Sequence, residues 1–355
     1  MLPPDSSGRA ICRGALAGGR YVAWYAAGPA AATAAEAAWP ICAFDPVLFT
    51  GAAHGRTQPG GANLHWFGLS DQLTGELVGR WLVCPDPADA RRALSPGRAP
   101  FGGPQLAERL PLAVVTAFVA HGLAALADLG FRRLHQTLLP TAYAPRTSAR
   151  VAEVLLAQQQ KVCPDLTVLI HCRPVTAQPF EAGIAPAGRR RLRRLWAEGY
   201  TWQPEPAAAL PAMLAELRHW RDQRGQPTSL TEQALTTLVA ALPAAFPLLS
   251  VRHPTGARAA VTVAVWTTPT TLYYFLPASD PALATYSPAI LLLAGMYDFC
   301  RAAGGHLLDL GPSLTPAGSL STSLLRFKRS MGAVPSVRLT LGGPLPGSSD
   351  SAGTS

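Results

Sequence analysis

YSPAILLLAGMYDFCRAAGGHLLDLGPSL (286–314), then a short polar loop, then LLRFKRSMG (324–332), is the stretch whose reading decides the fold. Ser287 has the side chain of an N-cap, and Pro288 suits the first helical position. The apolar run from Ala289 to Ala303 predicts a buried helix, and Gly304-Gly305 end it. HLLDL predicts a short buried strand with Asp309 near its end. Gly311 and Pro312 break the chain, and Phe327-Lys328 stands just before Gly332. The order is a strand around Tyr273, a loop, a capped helix, a glycine stop, a strand bearing Asp309, a loop and Phe-Lys.

Working outward, the same pattern occurs earlier. FVAHGLAALADLGFRRLHQTLLP (118–140) matches LLAGMYDFCRAAGGHLLDLGPSL (292–314) at an offset of 174, which sets Gly130 on Gly304 and His135 on Asp309. The same offset sets Phe101 on Phe275, and GELVGRWLV pairs with GARAAVTVAV at a slightly different one. Each half reads as hairpin, strand, helix, strand, and 355 residues suit two such domains.

In the first half, RYVAWYA (20–26) predicts a strand, followed by an alanine-rich helix up to Pro40. NLHWFGLSD (63–71) and ELVGRWLVCPD (76–86) predict a hairpin around Thr74-Gly75. RAPFGGP (98–104) reads as a strand, Leu106–Leu129 as a helix, 131–139 as a strand, 147–160 as a helix and 165–173 as a strand. The second half opens with GRRRLRRLWAEGY (188–200), a basic amphipathic helix with Leu192, Leu195 and Trp196 on its apolar face. Helices follow at 211–224 and 229–242, the latter capped by Thr228 or Ser229 with Glu232 in a capping box. A meander then runs to residue 278.

This order of motifs resembles the GNAT superfamily, and more closely its double-GNAT members, the Fem peptidyltransferases and the cellulose-biosynthesis acetyltransferase-like family. The resemblance rests on Ser287-Pro288, Gly304, Asp309-Leu310-Gly311, Phe327-Lys328 and Gly332, with the arginine-rich helix and Arg224-Gly225 before them. It implies an α/β fold with mixed sheets, built as tandem duplicated GNAT-like domains, a first at 20–175 and a second at 176–340 carrying the donor site; composition adds a loose lead-in at 1–19 and a Gly-, Pro- and Ser-rich tail at 341–355 expected to be disordered. It implies an acyltransferase that moves an acetyl or aminoacyl group to an amine of a small molecule or peptide. Two alternatives stand beside it: a non-catalytic binding protein of the same fold, and a Fem-type peptidyltransferase using aminoacyl-tRNA.

By the same resemblance, Lys328 stabilises charge in the acyl-transfer intermediate. Asp309, from its own place at a strand end, is a candidate to orient the acceptor amine or to accept its proton. Tyr274, Tyr286, Ser287 and Phe327 bind the donor, and Phe101-Gly102-Gly103 lies near the acceptor groove. Each residue also has a plainer reading. Lys328 is a surface lysine between arginines, Asp309 caps a turn, the tyrosines are core, Ser287 is an ordinary cap, and the glycines make a tight turn. Lys161 is the only other lysine in the chain. Arg189, Arg190, Arg193 and Arg194 either hold RNA or a phosphate-bearing substrate, or form a solvated face. The sequence departs from the family in one respect. The Gln/Arg-x-x-Gly-x-Gly/Ala loop for coenzyme A is missing before both helices, where the chain reads SDPALATYSP and PFGGPQLAERL. Acyl-CoA therefore stays a candidate donor without its usual signature.

Composition narrows the rest. Hydrophobic residues make up 48% and charged ones 14%, with a net charge of +9 that permits an anionic partner. Six cysteines without a C-x-x-C read as free thiols of a reducing compartment, with no metal site. No run resembles a membrane span or a signal peptide, which points to the cytoplasm. No P-loop, Rossmann fingerprint or Ser-His-Asp arrangement is present. Oligomeric state is not legible.

Overall fold

The computed structural model describes residues 14–16, 18–158, 161–172, 179–226, 230–315 and 318–347. Its first elements are β1 (Gly14–Leu16), β2 (Tyr21–Ala27), α1 (Pro29–Ala38), α2 (Ala52–Gly55), β3 (His65–Asp71), β4 (Glu76–Asp86) and β5 (Asp89–Ser95). β6 (Gln105–Leu106), α3 (Leu112–Asp128), β7 (Arg133–Thr137), α4 (Pro145–Ala157) and β8 (Lys161–His171) follow. Then come α5 (Phe180–Gly183), α6 (Pro186–Ala197), β9 (Thr201–Glu205), α7 (Leu210–Asp222), α8 (Glu232–Ala241), β10 (Leu248–Arg252), β11 (Arg258–Thr268) and β12 (Thr271–Ser279). The last are α9 (Pro288–Ala302), β13 (Leu307–Pro312), α10 (Thr322–Ser330) and β14 (Val334–Pro344). The chain divides into two compact units, Met1–Asp165 with Val337–Ser355, and Leu166–Ser336.

In the first unit β1 to β5 form an antiparallel meander. After α3 the chain returns as β7, parallel to β5, with Arg92 opposite Arg133 and Ser95 opposite Gln136. α3 lays Val114, Phe118, Val119 and Leu126 on a sheet face that includes Phe67 and Trp81. The second unit repeats the plan. β9 to β12 run antiparallel, α9 crosses over, and β13 returns parallel to β12. α9 buries Ile290, Leu291, Leu293 and Met296 against Leu249, Val251, Leu272 and Leu308. Gly130 (φ 93°) and Gly304 (φ 80°) each stand one residue past the helix C-cap. There the left-handed backbone that closes a helix is open to glycine at no steric cost. The matched glycines thus occupy the same place in both units, as the repeat predicts.

The strand that completes the first unit comes from the C-terminal part of the sequence, and the one that completes the second from its middle. Thr340–Pro344 of β14 pair antiparallel with β7 in the first unit. Thr167–His171 of β8 pair antiparallel with β13 in the second. In chain order β8 follows the first helix-and-strand set and β14 follows the second.

Several expectations need correction. Residues 98–104 are not a strand. The strand is β5, one step earlier, and Gly102 makes only an isolated bridge to Leu138. Phe101 is therefore not the counterpart of Phe275, which lies within β12. α3 starts at Leu112 rather than Leu106, because Gln105-Leu106 pair with β4 and Pro111 precedes the first turn. β9 was not foreseen. The expected disordered tail begins as structure: 341–344 belong to β14, and Leu341 and Leu345 are buried. α8 is capped by Thr231, whose Oγ1 accepts from the Ala234 N–H at 3.2 Å. The caps expected at Thr228 and Ser229 lie outside the described residues, as do 348–355. Trp196 is 43% exposed while Leu192 and Leu195 are buried.

Candidate active site

The pairing of β12 with β13 is short. Thr271 faces Leu307, Leu272 faces Leu308 and Tyr273 faces Asp309, and there the register ends. β12 continues to Ser279 on β11, while β13 continues to Pro312 on β8. Two parallel strands that part company leave backbone donors and acceptors of each without a strand partner. That is where an extended ligand can add hydrogen bonds. α9 begins nine residues after β12 ends, so its positive end follows directly from one of the two parting strands. In the first unit the corresponding strands stay paired to Ser95 and Gln136, and Gly102 then bridges to Leu138.

Ser287 stands at the N-cap of α9 but does not cap it through its side chain. Its backbone is left-handed (φ 58°, ψ 56°), the one positive-φ non-glycine among the described residues. Its Oγ donates instead to the Ala284 carbonyl at 3.3 Å, while its own carbonyl accepts from the Ile290 N–H at 2.9 Å. Pro288 is the first helical residue, as expected. Tyr286 stacks obliquely on Tyr200 at 5.8 Å, and the Arg194 guanidinium lies over its ring at 4.6 Å.

Lys328 is the one fully buried residue of α10, at 5% exposure. α10 is held at its start by Ser321, whose Oγ accepts from the Leu324 N–H, and Ser321 donates its own N–H to Ser313. From there Lys328 reaches the end of β13 and donates Nζ–H to the carbonyls of Gly311 (3.0 Å) and Pro312 (2.7 Å). Burial pushes its ammonium down to about 8, and the nearby Asp309 carboxylate works the other way. A lysine with two backbone acceptors and strong desolvation is no solvated surface residue. Perturbed groups of this kind concentrate at working sites.

Asp309 is fully buried. Its Oδ1 accepts from Thr167 Oγ1 at 2.6 Å and from the Gly311 N–H at 2.7 Å. Gly311 (φ 72°) makes this turn, and a Cβ there would come within 2.8 Å of the Tyr273 hydroxyl. The aspartate thus fixes the end of β13, and Thr167 is a partner the sequence reading did not name. Tyr274 and Phe327 are half-buried against the second core. Burial raises the Tyr274 phenol.

The remaining candidates are Phe101-Gly102-Gly103 in the first unit and the arginines of α6. Phe101, in the first unit, is buried between Phe49 (5.2 Å) and Tyr143 (5.3 Å). A Cβ on Gly102 would lie 2.3 Å from Pro96 Cδ, and one on Gly103 2.5 Å from Leu138 Cδ2, so this segment is close-packed backbone. On α6, Arg190, Arg193 and Arg194 are exposed and Arg189 half-exposed. Of these, Arg194 pairs with Glu198 at 2.7 Å. Cys84, Cys172 and Cys300 are buried, and Cys163 is exposed. Among the described residues no cluster of three or more His, Cys, Asp or Glu is placed to hold a metal, and no helix is long and apolar enough to cross a membrane.

Residues 187–329 match the model of a family described as an acetyltransferase (GNAT) domain. No curated protein matches the chain. Among solved structures, FemX superposes with a TM-score of 0.62 at 12% identity, over 84% of this chain and 93% of that one. L-PGS from Bacillus licheniformis gives 0.49 at 12% identity, over 74% and 80%. A tandem GNAT protein from the clavulanic acid biosynthesis pathway gives 0.47 at 17% identity, over 88% and 92%. The fold of this chain is the one seen in FemX. Within that fold, residues 187–329 carry the resemblance to the GNAT acetyltransferase domain.

Proposed function

We propose that this protein is an N-acyltransferase with its donor held in the second unit, between the parting ends of β12 and β13 and the start of α9. The burial of Lys328 at the end of β13 carries the reading. An ammonium kept out of water, with two of its three N–H groups on fixed carbonyls, is positioned to steady the negative charge of an acyl-transfer intermediate. Asp309 acts indirectly, by holding the Gly311 turn that presents those carbonyls. Tyr274, Tyr286, Ser287 and Phe327 border the donor, and the arginines of α6 face an anionic part of donor or acceptor. The donor is an acyl thioester or an aminoacyl ester, bound without the usual coenzyme A loop.

The test offers acetyl-coenzyme A and aminoacyl-tRNA in parallel, with a panel of amines and peptides. Transfer from either donor, reduced by roughly two to three orders of magnitude in Lys328→Met with donor affinity little changed, is the expected result. The rival reading, a binding protein that kept the fold, is favoured by one observation: Asp309 spends its Oδ1 on internal partners. A chain that binds a donor tightly, transfers nothing and is indifferent to Lys328→Met belongs to that rival.

A further inference from the structure

Ser313 follows Pro312 directly at the end of β13 and is 3% exposed. Its backbone is fixed, since its carbonyl accepts from the Ser321 N–H at 2.8 Å. Its side-chain Oγ has no hydrogen-bond partner among the described residues. A buried hydroxyl left this way is costly unless something binds it. The Pro312 carbonyl gripped by Lys328 belongs to the peptide bond whose nitrogen is that of Ser313. Lys328 also has a third N–H with no acceptor among the described residues. Two unspent donors, a hydroxyl and an ammonium N–H, thus belong to residues joined through one peptide unit, three to four residues beyond the point where β12 and β13 cease to pair. Thr167, another buried hydroxyl at this end of the strand, is already committed to Asp309.

We infer that Ser313 is a catalytic residue that donates a hydrogen bond, beside Lys328, to the carbonyl oxygen of the acyl donor. The inference rests on the acyltransferase reading and deepens it. In the step concerned, the acceptor amine forms a C–N bond to the carbonyl carbon and the C=O pair moves onto oxygen. Ser313 and Lys328 hold that oxyanion. Collapse then breaks the bond to the leaving thiol or hydroxyl, which departs with the proton lost by the amine. Ser313 forms no covalent bond and keeps its own proton.

The experiment compares the parent, Ser313→Ala, Lys328→Met and the double variant for initial rate, KM and Tm, with whichever of acetyl-coenzyme A or aminoacyl-tRNA the parent uses. Ser313→Ala should lower kcat by about ten- to a hundredfold with KM nearly unchanged, as loss of one oxyanion donor does. Its Tm should match or exceed the parent's, because an unpartnered buried hydroxyl has been removed. The double variant should lose less than the product of the two single losses, since both groups serve one oxygen. Ser313→Ala at the parent's rate, with Lys328→Met still slow, overturns the inference and leaves the acyltransferase standing. A Tm several degrees lower in Ser313→Ala assigns the hydroxyl a structural task and overturns it equally. A parent that transfers from neither donor overturns both readings together.

Discussion

Lys328→Met, set beside the parent in urea denaturation at pH 7 and pH 10, isolates what burying an ammonium costs this fold. Burial moves the group from an ordinary 10.5 to about 8. With each factor of ten in a protonation equilibrium worth about 1.4 kcal/mol, the charged form is disfavoured by roughly 3 kcal/mol in the folded chain. The sign follows from proton counting. Between pH 8 and 10.5 the unfolded chain binds the proton that the folded chain has released, so stability rises with pH over that window; below pH 8 the full penalty is present. The Met variant lacks this titration. It also leaves the Gly311 and Pro312 carbonyls without their lysine donor, but does so at every pH. Other alkaline titrations are common to both proteins and cancel. The parent should therefore gain roughly 2–3 kcal/mol on the variant between pH 7 and pH 10. A parent-minus-variant difference that stays flat across that interval would refute the desolvated lysine, and with it the electrostatic basis of the proposed site.

Ser287→Gly removes the left-handed strain of a non-glycine residue and should stabilise by about 0.5–1 kcal/mol in urea unfolding; a loss would mean that the Oγ contact to Ala284 outweighs the strain. Gly102→Ala drives a Cβ into Pro96 and should cost about 1–3 kcal/mol, read as a lower Tm, whereas an unchanged Tm would show the segment to be loosely packed. Replacing Arg189, Arg190, Arg193 and Arg194 with glutamine should leave the circular dichroism intact while weakening binding of an anionic ligand and flattening its salt dependence, and unchanged binding of tRNA, coenzyme A and heparin would return them to a solvated face. If charged Lys328 serves the reaction, the rate should fall about tenfold per pH unit above pH 8, and a rate that instead rises through pH 8 would make the neutral amine the working form.

What the sequence disclosed is what local rules govern. The α9 run is apolar up to Tyr297, its glycine stop recurs after α3, and Leu192 and Leu195 mark the buried side of α6. Two strands escaped because their side chains carry mixed messages. β5 reads DARRALS, with consecutive arginines that leave no clean polar-apolar alternation, and β9 carries Pro204, which argues against a strand unless one edge is free. β14 was hidden by its Gly-Gly-Pro end, although Leu341 and Leu345 fill the first core. At the site, Lys328 was legible from a motif and its burial was not. A lysine flanked by arginines reads as surface until the fold turns it inward. Ser313 and Thr167 gave no signal, because one hydroxyl resembles another until its partners are counted. Ser287 failed as a cap for a local reason: its left-handed backbone directs the hydroxyl back to Ala284.

The crossed-over strands set a timetable for synthesis. By the time residue 336 has emerged from a ribosome, every strand and helix of the second unit has been made, β8 having ended at His171, about 165 residues earlier. The first unit, although started first, still shows the open side of β7 and lacks the burial of Leu341 and Leu345. It must hold an unpaired edge through the whole translation of its successor and can close only when residues 337–345 arrive. Chains that end at residue 336 should therefore protect 166–336 from protease better than 20–158, the reverse of the order in which the two were made.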